Sequence, residues 1–152
     1  MSTILLATEK PFAKDAVEKI SKVITNAGHT VQLLENYTDK AQLCEAVKDA
    51  AAVIVRSDIV DADVINAGNQ LKIVVRAGAG YDNLDLNAAT AKNVVCMNTP
   101  GQNANAVAEC AFGMMLYMAR KQFSGSSGTE LRGKKLGIIG YGNIGRYMAQ
   151  IG

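Results

Sequence analysis

Five short apolar runs, each separated from the next by a segment of helical character, constrain this chain more than any other feature. They are Ile4-Leu5-Leu6-Ala7, Val31-Gln32-Leu33-Leu34, Ala52-Val53-Ile54-Val55, Lys72-Ile73-Val74-Val75 and Val94-Val95-Cys96-Met97. The third is continuous and β-branched, as in a strand covered on both faces. Between the first two runs, residues 13, 16, 17, 20, 23 and 24 are apolar at helical spacing, and Gly28 is a stop signal. Asp39 can cap a helix to about Ala50, Asp61 one ending near Gly68, and Asp85 one to about Lys92. Strands alternating with helices predict a parallel sheet with right-handed crossovers and helices on both faces. The fold class expected is α/β, with a flavodoxin-like parallel-sheet domain over residues 1–98.

Ligands of such sheets lie beyond the carboxyl ends of the strands. The loops there are Arg56-Ser57-Asp58, Arg76-Ala77-Gly78-Ala79-Gly80 and Asn98-Thr99-Pro100-Gly101. Gly78-Ala79-Gly80 can expose backbone amides as an anion nest, or be a plain turn. Arg56 and Arg76 can hold a carboxylate or phosphate bidentately, or extend to solvent. Ser57 and Asn103 can add neutral hydrogen bonds, and Asn103 also suits the N-cap of the following helix. Together these residues favour a small anionic molecule.

That helix is expected over 103–121 and is apolar almost all round between 106 and 119, broken only by Glu109. It is too short for a membrane span, so burial between domains or subunits is expected. Ser124-Gly125-Ser126-Ser127-Gly128 reads as a flexible joint, native or introduced. Leu136-Gly137-Ile138-Ile139 then reads as a short buried strand running into Gly140-Tyr141-Gly142-Asn143-Ile144-Gly145, a G-x-G-x-x-G turn with a helix start behind it. The first glycine permits the tight turn, the second lets a pyrophosphate approach, and the third allows close packing. Amides near Asn143 and Ile144 would hold the phosphates. A ligand-free glycine-rich turn is the alternative. The acidic ribose reader, expected ~20 residues further on, does not follow before Gly152. Residues 134–152 are thus expected to be the truncated start of a Rossmann domain, with 99–133 an interdomain helix and linker.

A net charge of +2 without a basic stripe argues against a nucleic-acid partner. Cys44, Cys96 and Cys110 form no C-x-x-C pair and are expected to be buried thiols of a cytoplasmic protein. No signal peptide and no membrane segment is read. The single His29, beside Gly28, is expected to be a solvated loop residue. No catalytic triad, metal cluster or general acid–base can be assembled, so no catalytic residue and no metal ligand is assigned.

Val55-Arg56-Ser57, Val75-Arg76-Ala77-Gly78-Ala79-Gly80-Tyr81-Asp82-Asn83-Leu84-Asp85, Met97-Asn98-Thr99-Pro100-Gly101, Val107-Ala108-Glu109 and the 136–145 segment occur in this order. Together they resemble the D-isomer-specific 2-hydroxyacid dehydrogenases over essentially the whole chain. The resemblance implies an NAD-dependent oxidoreductase of two domains, residues 1–98 being the substrate domain without the C-terminal segment that completes it in the family. It implies a small 2-hydroxy or 2-oxo acid bound by amides matching Gly78 and Ala79, with Arg56, Ser57 and Asn103 around it. NAD would lie on the turn matching Gly140, Gly142, Asn143, Ile144 and Gly145. A homodimer with the 103–121 helix near its interface is implied, and the family's catalytic Arg, Glu and His would lie past Gly152. Arg56 beside Ser57 tilts the expected substrate towards a phosphorylated acid, against a glyoxylate, hydroxypyruvate or lactate type, and a non-catalytic binding fragment is the alternative from another class.

Overall fold

The structure, a computed structural model, describes residues 1–152. The chain forms two compact units, Met1–Thr99 and Pro100–Gly152. The long helix and its connection therefore cluster with the glycine-rich turn and do not stand as a separate linker.

The first unit carries strands β1 (Thr3–Thr8), β2 (Thr30–Glu35), β3 (Ala50–Val55), β4 (Ile73–Arg76) and β5 (Val95–Met97). They pair in the order β2-β1-β3-β4-β5, all parallel, the flavodoxin-like order. Helices α1 (Lys14–Asn26), α2 (Lys40–Val47), α3 (Ala62–Ala67) and α4 (Leu86–Ala91) make the crossovers. Leu5, Ala7, Val53, Val55 and Val74 of the sheet pack with Leu43 and Val47 of α2, Val64 and Ile65 of α3 and Ala89 of α4 in one core. The edge strands are less covered: Leu33 of β2 and Val95 and Met97 of β5 are exposed.

Local chemistry sets the helix ends. Asp39 accepts from the Ala41 amide at 2.8 Å, and Gln42 Oε1 accepts from the Asp39 amide in return, a capping box. Asp61 accepts from the Asp63 and Val64 amides, and Asp85 from the Ala88 amide. Gly28, at φ +80°, ends α1: its N–H donates to Thr25 and that of His29 to Ile24, a Schellman closure. His29 is consequently pulled to the amino end of β2 and half-buried, with Nδ1 enclosed and unpartnered, unlike the solvated residue expected. Lys92 Nζ donates to the carbonyls of Ile65, Asn66 and Gly68 at 2.8, 2.8 and 2.9 Å, closing the far end of α3.

The second unit holds α5 (Ala104–Ala119), a short turn (Lys121–Phe123) and α6 (Asn143–Ile151) packed on α5. Within the chain, helix α5 is buried only at Ala104 and Ala108, whereas Val107, Met114, Leu116, Tyr117 and Met118 are exposed, because one short neighbouring helix cannot cover an all-round apolar surface. Three expectations are corrected here. Cys110 is exposed on the same helix, and Cys44 and Cys96 are half-buried. The 124–128 segment is tied to the end of α5: the Thr129 amide donates to Ala119 O at 2.8 Å, and a β-carbon on Gly128 would overlap that carbonyl. Residues 136–139 join no sheet, and Leu136 and Ile139 are exposed, since no strand lies alongside to complete a ladder.

Candidate functional site

The carboxyl edge of the first unit is organised around a side chain that spacing did not single out. Asp58 is buried behind the β3 turn. Its Oδ1 accepts from the Glu9 amide and from the Tyr37 hydroxyl, both at 2.7 Å, and its Oδ2 accepts from the Arg56 amide at 3.1 Å. Burial, and next the hydrogen bond to Asp58, hold the Tyr37 phenol well above its usual 10.0, so it donates at any ordinary pH. Asn83 Nδ2 donates to the Asp58 carbonyl at 2.7 Å, and the Val60 amide to Asn83 O at 2.9 Å. The loops after β1, β2 and β3 thus meet at the Asp58 carboxylate, and the loop after β4 at its main-chain carbonyl.

Arg56 and Arg76 are brought together. Arg76 Nε donates to Arg56 O at 2.9 Å, and its guanidinium lies where a β-carbon of residue 78 would stand. Arg56 Nη1 reaches the Pro11 carbonyl at 3.2 Å and the Lys10 carbonyl at 3.4 Å, and its guanidinium stands 5.6 Å from the Phe12 ring centre. Its other donors make no bond within the chain. Ser57 is exposed and its hydroxyl unbonded. A cleft of about 150 Å³ lies between Thr8, Glu9 and Lys10 on one side and Arg56, Ser57 and Asp58 on the other.

The amide nest differs from expectation at one position. The Gly78 N–H donates to Arg76 O at 2.8 Å in a tight turn and is spent. The next two amides are not. Gly78 O accepts from the Thr99 amide at 2.9 Å, and Ala79 O from Asn98 Nδ2 at 2.8 Å. In a trans peptide the N–H points opposite to the C=O of the same unit. The Ala79 and Gly80 amides therefore point away from Asn98 and Thr99, with no acceptor in the chain. The free pair is Ala79 and Gly80, one residue later than the pair the resemblance implies. The role of Asn98 has no signature in the sequence, because a side chain that pins a carbonyl carries no pattern there.

In the second unit, Gly140 adopts φ +93°, and Gly142 heads α6 in an extended conformation without a side-chain cap. The amides of Asn143, Ile144 and Gly145 have no acceptor in the chain. A β-carbon on Gly142 would meet nothing within 4 Å, whereas one on Gly145 would overlap the Gly140 carbonyl and stand 3.5 Å from Ile138. The second glycine leaves an open approach and the third makes close packing possible, which fits a pyrophosphate cradle at a helix N-terminus. Asn143 lies beside the Gly101 turn, its Nδ2 3.0 Å from the position of a residue-101 β-carbon. Asn103 heads α5, but its side chain makes no capping bond and is exposed.

A parallel sheet in this order, two arginines and free amides at its carboxyl edge, and a glycine turn opening a helix place the chain in the α/β class, with an anion-accepting edge and a phosphate-type turn. The catalytic-domain model of the D-isomer specific 2-hydroxyacid dehydrogenases matches residues 4–149, and the chain belongs to that family. It is similar to D-3-phosphoglycerate dehydrogenase of Rattus norvegicus, 43% identical over 142 residues that cover 84% of this chain and 26% of the relative. Hydroxypyruvate reductase of Thermotoga maritima is 34% identical over 159 residues, covering 95% of this chain and 52% of that protein. Among solved structures, NAD+-bound 3-phosphoglycerate dehydrogenase of Entamoeba histolytica superposes with a TM-score of 0.93 at 49% identity, over 99% of this chain and 50% of that one. The chain thus spans between about a quarter and about half the length of these relatives.

Proposed function

We propose that this chain supplies the substrate-gripping edge and the first phosphate-binding turn of an NAD-dependent oxidoreductase that acts on the C2 hydroxyl of D-3-phosphoglycerate. The observation that carries the reading is the pair of free amides at Ala79 and Gly80, next to Arg76 and within the loop cluster that holds Arg56. In this reading the substrate carboxylate accepts from those amides, and Ser57 and Asn103 hold its neutral oxygens. Arg56, with donors to spare, meets the phosphate. The amides of Asn143, Ile144 and Gly145 hold the cofactor's pyrophosphate, with Gly142 leaving room for it. When bound, the nicotinamide cofactor supplies the hydride chemistry at C2. A cytoplasmic homodimer is part of the proposal. The three free cysteines fit the reducing compartment, and the exposed apolar face of α5 fits a subunit contact.

Chemical-shift titration with 3-phosphoglycerate tests this. The Ala79 and Gly80 amides should move, with a dissociation constant on the order of millimolar, about −4 kcal/mol. Arg56→Ala should weaken phosphorylated ligands more than simple carboxylates. If no amide between 76 and 82 responds, the substrate edge is misassigned.

A second reading is a glyoxylate or hydroxypyruvate reductase. It is favoured by the Thermotoga relative and by the partial engagement of Arg56 with the Lys10 and Pro11 carbonyls. A preference of the edge for glycolate over 3-phosphoglycerate would decide for it.

A further inference from the structure

We propose that Asp58 is the positioning residue of the carboxyl edge, holding the Arg56-Ser57 turn in place so that Arg56 can meet the phosphate of a phosphorylated acid. The inference rests on the reading of that edge as the substrate site.

The argument starts from what a buried carboxylate requires. An ionised Asp is costly to bury unless its oxygens are matched by donors. Asp58 is 5% exposed and has three donors: the Glu9 amide, the Tyr37 hydroxyl and the Arg56 amide. No Lys or Arg forms an ion pair with it. It is therefore held by neutral donors drawn from three different loops, the arrangement that fixes backbone rather than pairing charge. Its own carbonyl is taken by Asn83, which ties the turn to the loop carrying Ala79 and Gly80.

The consequence falls on Arg56. Its amide is one of the three donors, so the Cα position of Arg56 is set by Asp58 Oδ2. Its carbonyl receives Arg76 Nε, so Arg76 is set by the same turn. The Glu9 amide, held by Oδ1, fixes the start of the loop whose Lys10 and Pro11 carbonyls receive Arg56 Nη1. Both the backbone and the guanidinium of Arg56 therefore lead back to this carboxylate. A long arginine with a free backbone would lose rotamer entropy on meeting an anion, and pre-placing it reduces that loss.

Asparagine at position 58 has one acceptor oxygen where aspartate has two. Whichever way its amide is turned, an N–H faces either the Glu9 or the Arg56 amide, a donor against a donor. Asp58→Asn is thus a small change aimed at the backbone anchors. Tyr37→Phe removes one donor to Asp58 and touches neither loop amide.

The test is a double-mutant cycle read by titration with 3-phosphoglycerate and, in parallel, glycolate. Asp58→Asn should weaken 3-phosphoglycerate by about tenfold, the scale of one hydrogen bond to a charged group, and glycolate by much less. In the Arg56→Ala background the same substitution should weaken it hardly further, since the residue being positioned is gone. Tyr37→Phe should show a smaller loss of the same kind, and it serves alone if Asp58→Asn does not fold. A merely structural role would lower the melting temperature and weaken both ligands equally in both backgrounds. That result, or unchanged 3-phosphoglycerate binding in folded Asp58→Asn or Tyr37→Phe, overturns the inference while leaving the substrate edge intact. If the unsubstituted chain binds neither ligand, the reading of the edge falls and the positioning role falls with it.

Discussion

Gly78 lies flat beneath the guanidinium of Arg76: a β-carbon at residue 78 would overlap Arg76 Nη1, while Arg76 Nε holds Arg56 O at 2.9 Å. The glycine therefore does more than bare a backbone to a ligand. It makes room for the arginine beside the free amides.

Substituting Gly78 by Ala should displace Arg76 without unfolding the chain, because the atom in the way is the far end of a flexible side chain. The expected stability change is under about 1 kcal/mol, since only a surface contact is rearranged. Carboxylate binding at the Ala79 and Gly80 amides should weaken severalfold. Denaturant midpoints and a glycolate titration measure the two effects; a large loss of stability with intact binding would contradict the argument.

The glycines of the second unit should separate by role. Gly145→Ala forces a β-carbon onto the Gly140 carbonyl and should cost about 1–3 kcal/mol, the range of overpacking. Gly142→Ala meets open space and should fold like the unsubstituted chain. If a dinucleotide approaches there, Gly142→Ala should still abolish the amide shifts that NAD induces at 143–145. Equal folding and equal NAD response in both variants would remove the pyrophosphate reading.

Lys92 closes α3 with three hydrogen bonds to carbonyls. Lys92→Met keeps the stem and removes the donors, leaving the last carbonyls of the helix without partners. A loss of about 2 kcal/mol is expected, the scale of bonds to a charged group at a helix C-terminus. Urea unfolding with an unchanged m-value checks it; a change under about 0.5 kcal/mol would show that water replaces the ammonium without cost.

Acid should act on the Lys40–Asp61 contact. The hydrogen bond from Lys40 Nζ, at 2.9 Å, holds the Asp61 carboxyl below its usual 3.8, with the Val64 amide helping. A depressed folded-state value stabilises the fold above the unfolded value, and the contribution is lost as pH falls through the folded one. Stability from this site should thus be constant from neutrality to about the ordinary carboxylate range and fade only in stronger acid. In Lys40→Met the Asp61 titration, followed by carbon NMR, should move up towards the usual value. A midpoint that stays put would mean that the cap bonds alone hold it.

Helix α5 should drive association. Val107, Met114, Leu116, Tyr117 and Met118 are exposed on one helix, more apolar surface than single side chains scattered over a monomer present. Light scattering at tens of micromolar, about the range where such surface associates, should show species larger than a monomer. Met114→Lys with Met118→Lys should reduce them. A clean monomer without the substitutions would count against the dimer proposal.

The elements most legible in the sequence were those written locally. The sheet strands announce themselves as apolar runs, and Asp39, Asp61 and Asp85 stand next to the amides they cap, two or three residues away. What depended on distant neighbours was not legible. Asp58 meets an amide 49 residues away, and no spacing rule spans that interval. The apolarity of 136–139 could be read, but pairing belongs to a neighbour as much as to the strand itself. The same holds for α5, whose composition was plain while its covering was not. That Gly78 leaves room for Arg76 is not written in its spacing either, since an arginine two residues back leaves no mark of where its guanidinium folds.

The three aspartate caps have a consequence beyond helix stability. In a parallel sheet every crossover helix starts at the edge where ligands arrive, so the positive ends of α2, α3 and α4 all open towards it. Asp39, Asp61 and Asp85 occupy them with carboxylates of the chain's own. A visiting acid finds those berths already taken by tethered competitors at very high effective concentration. The proposed edge would therefore choose where an anion docks partly by subtraction: with three of the four crossover dipoles plugged from within, the donors left there are the uncapped start of α1, the Ser57 hydroxyl, the Ala79 and Gly80 amides and the arginines beside them.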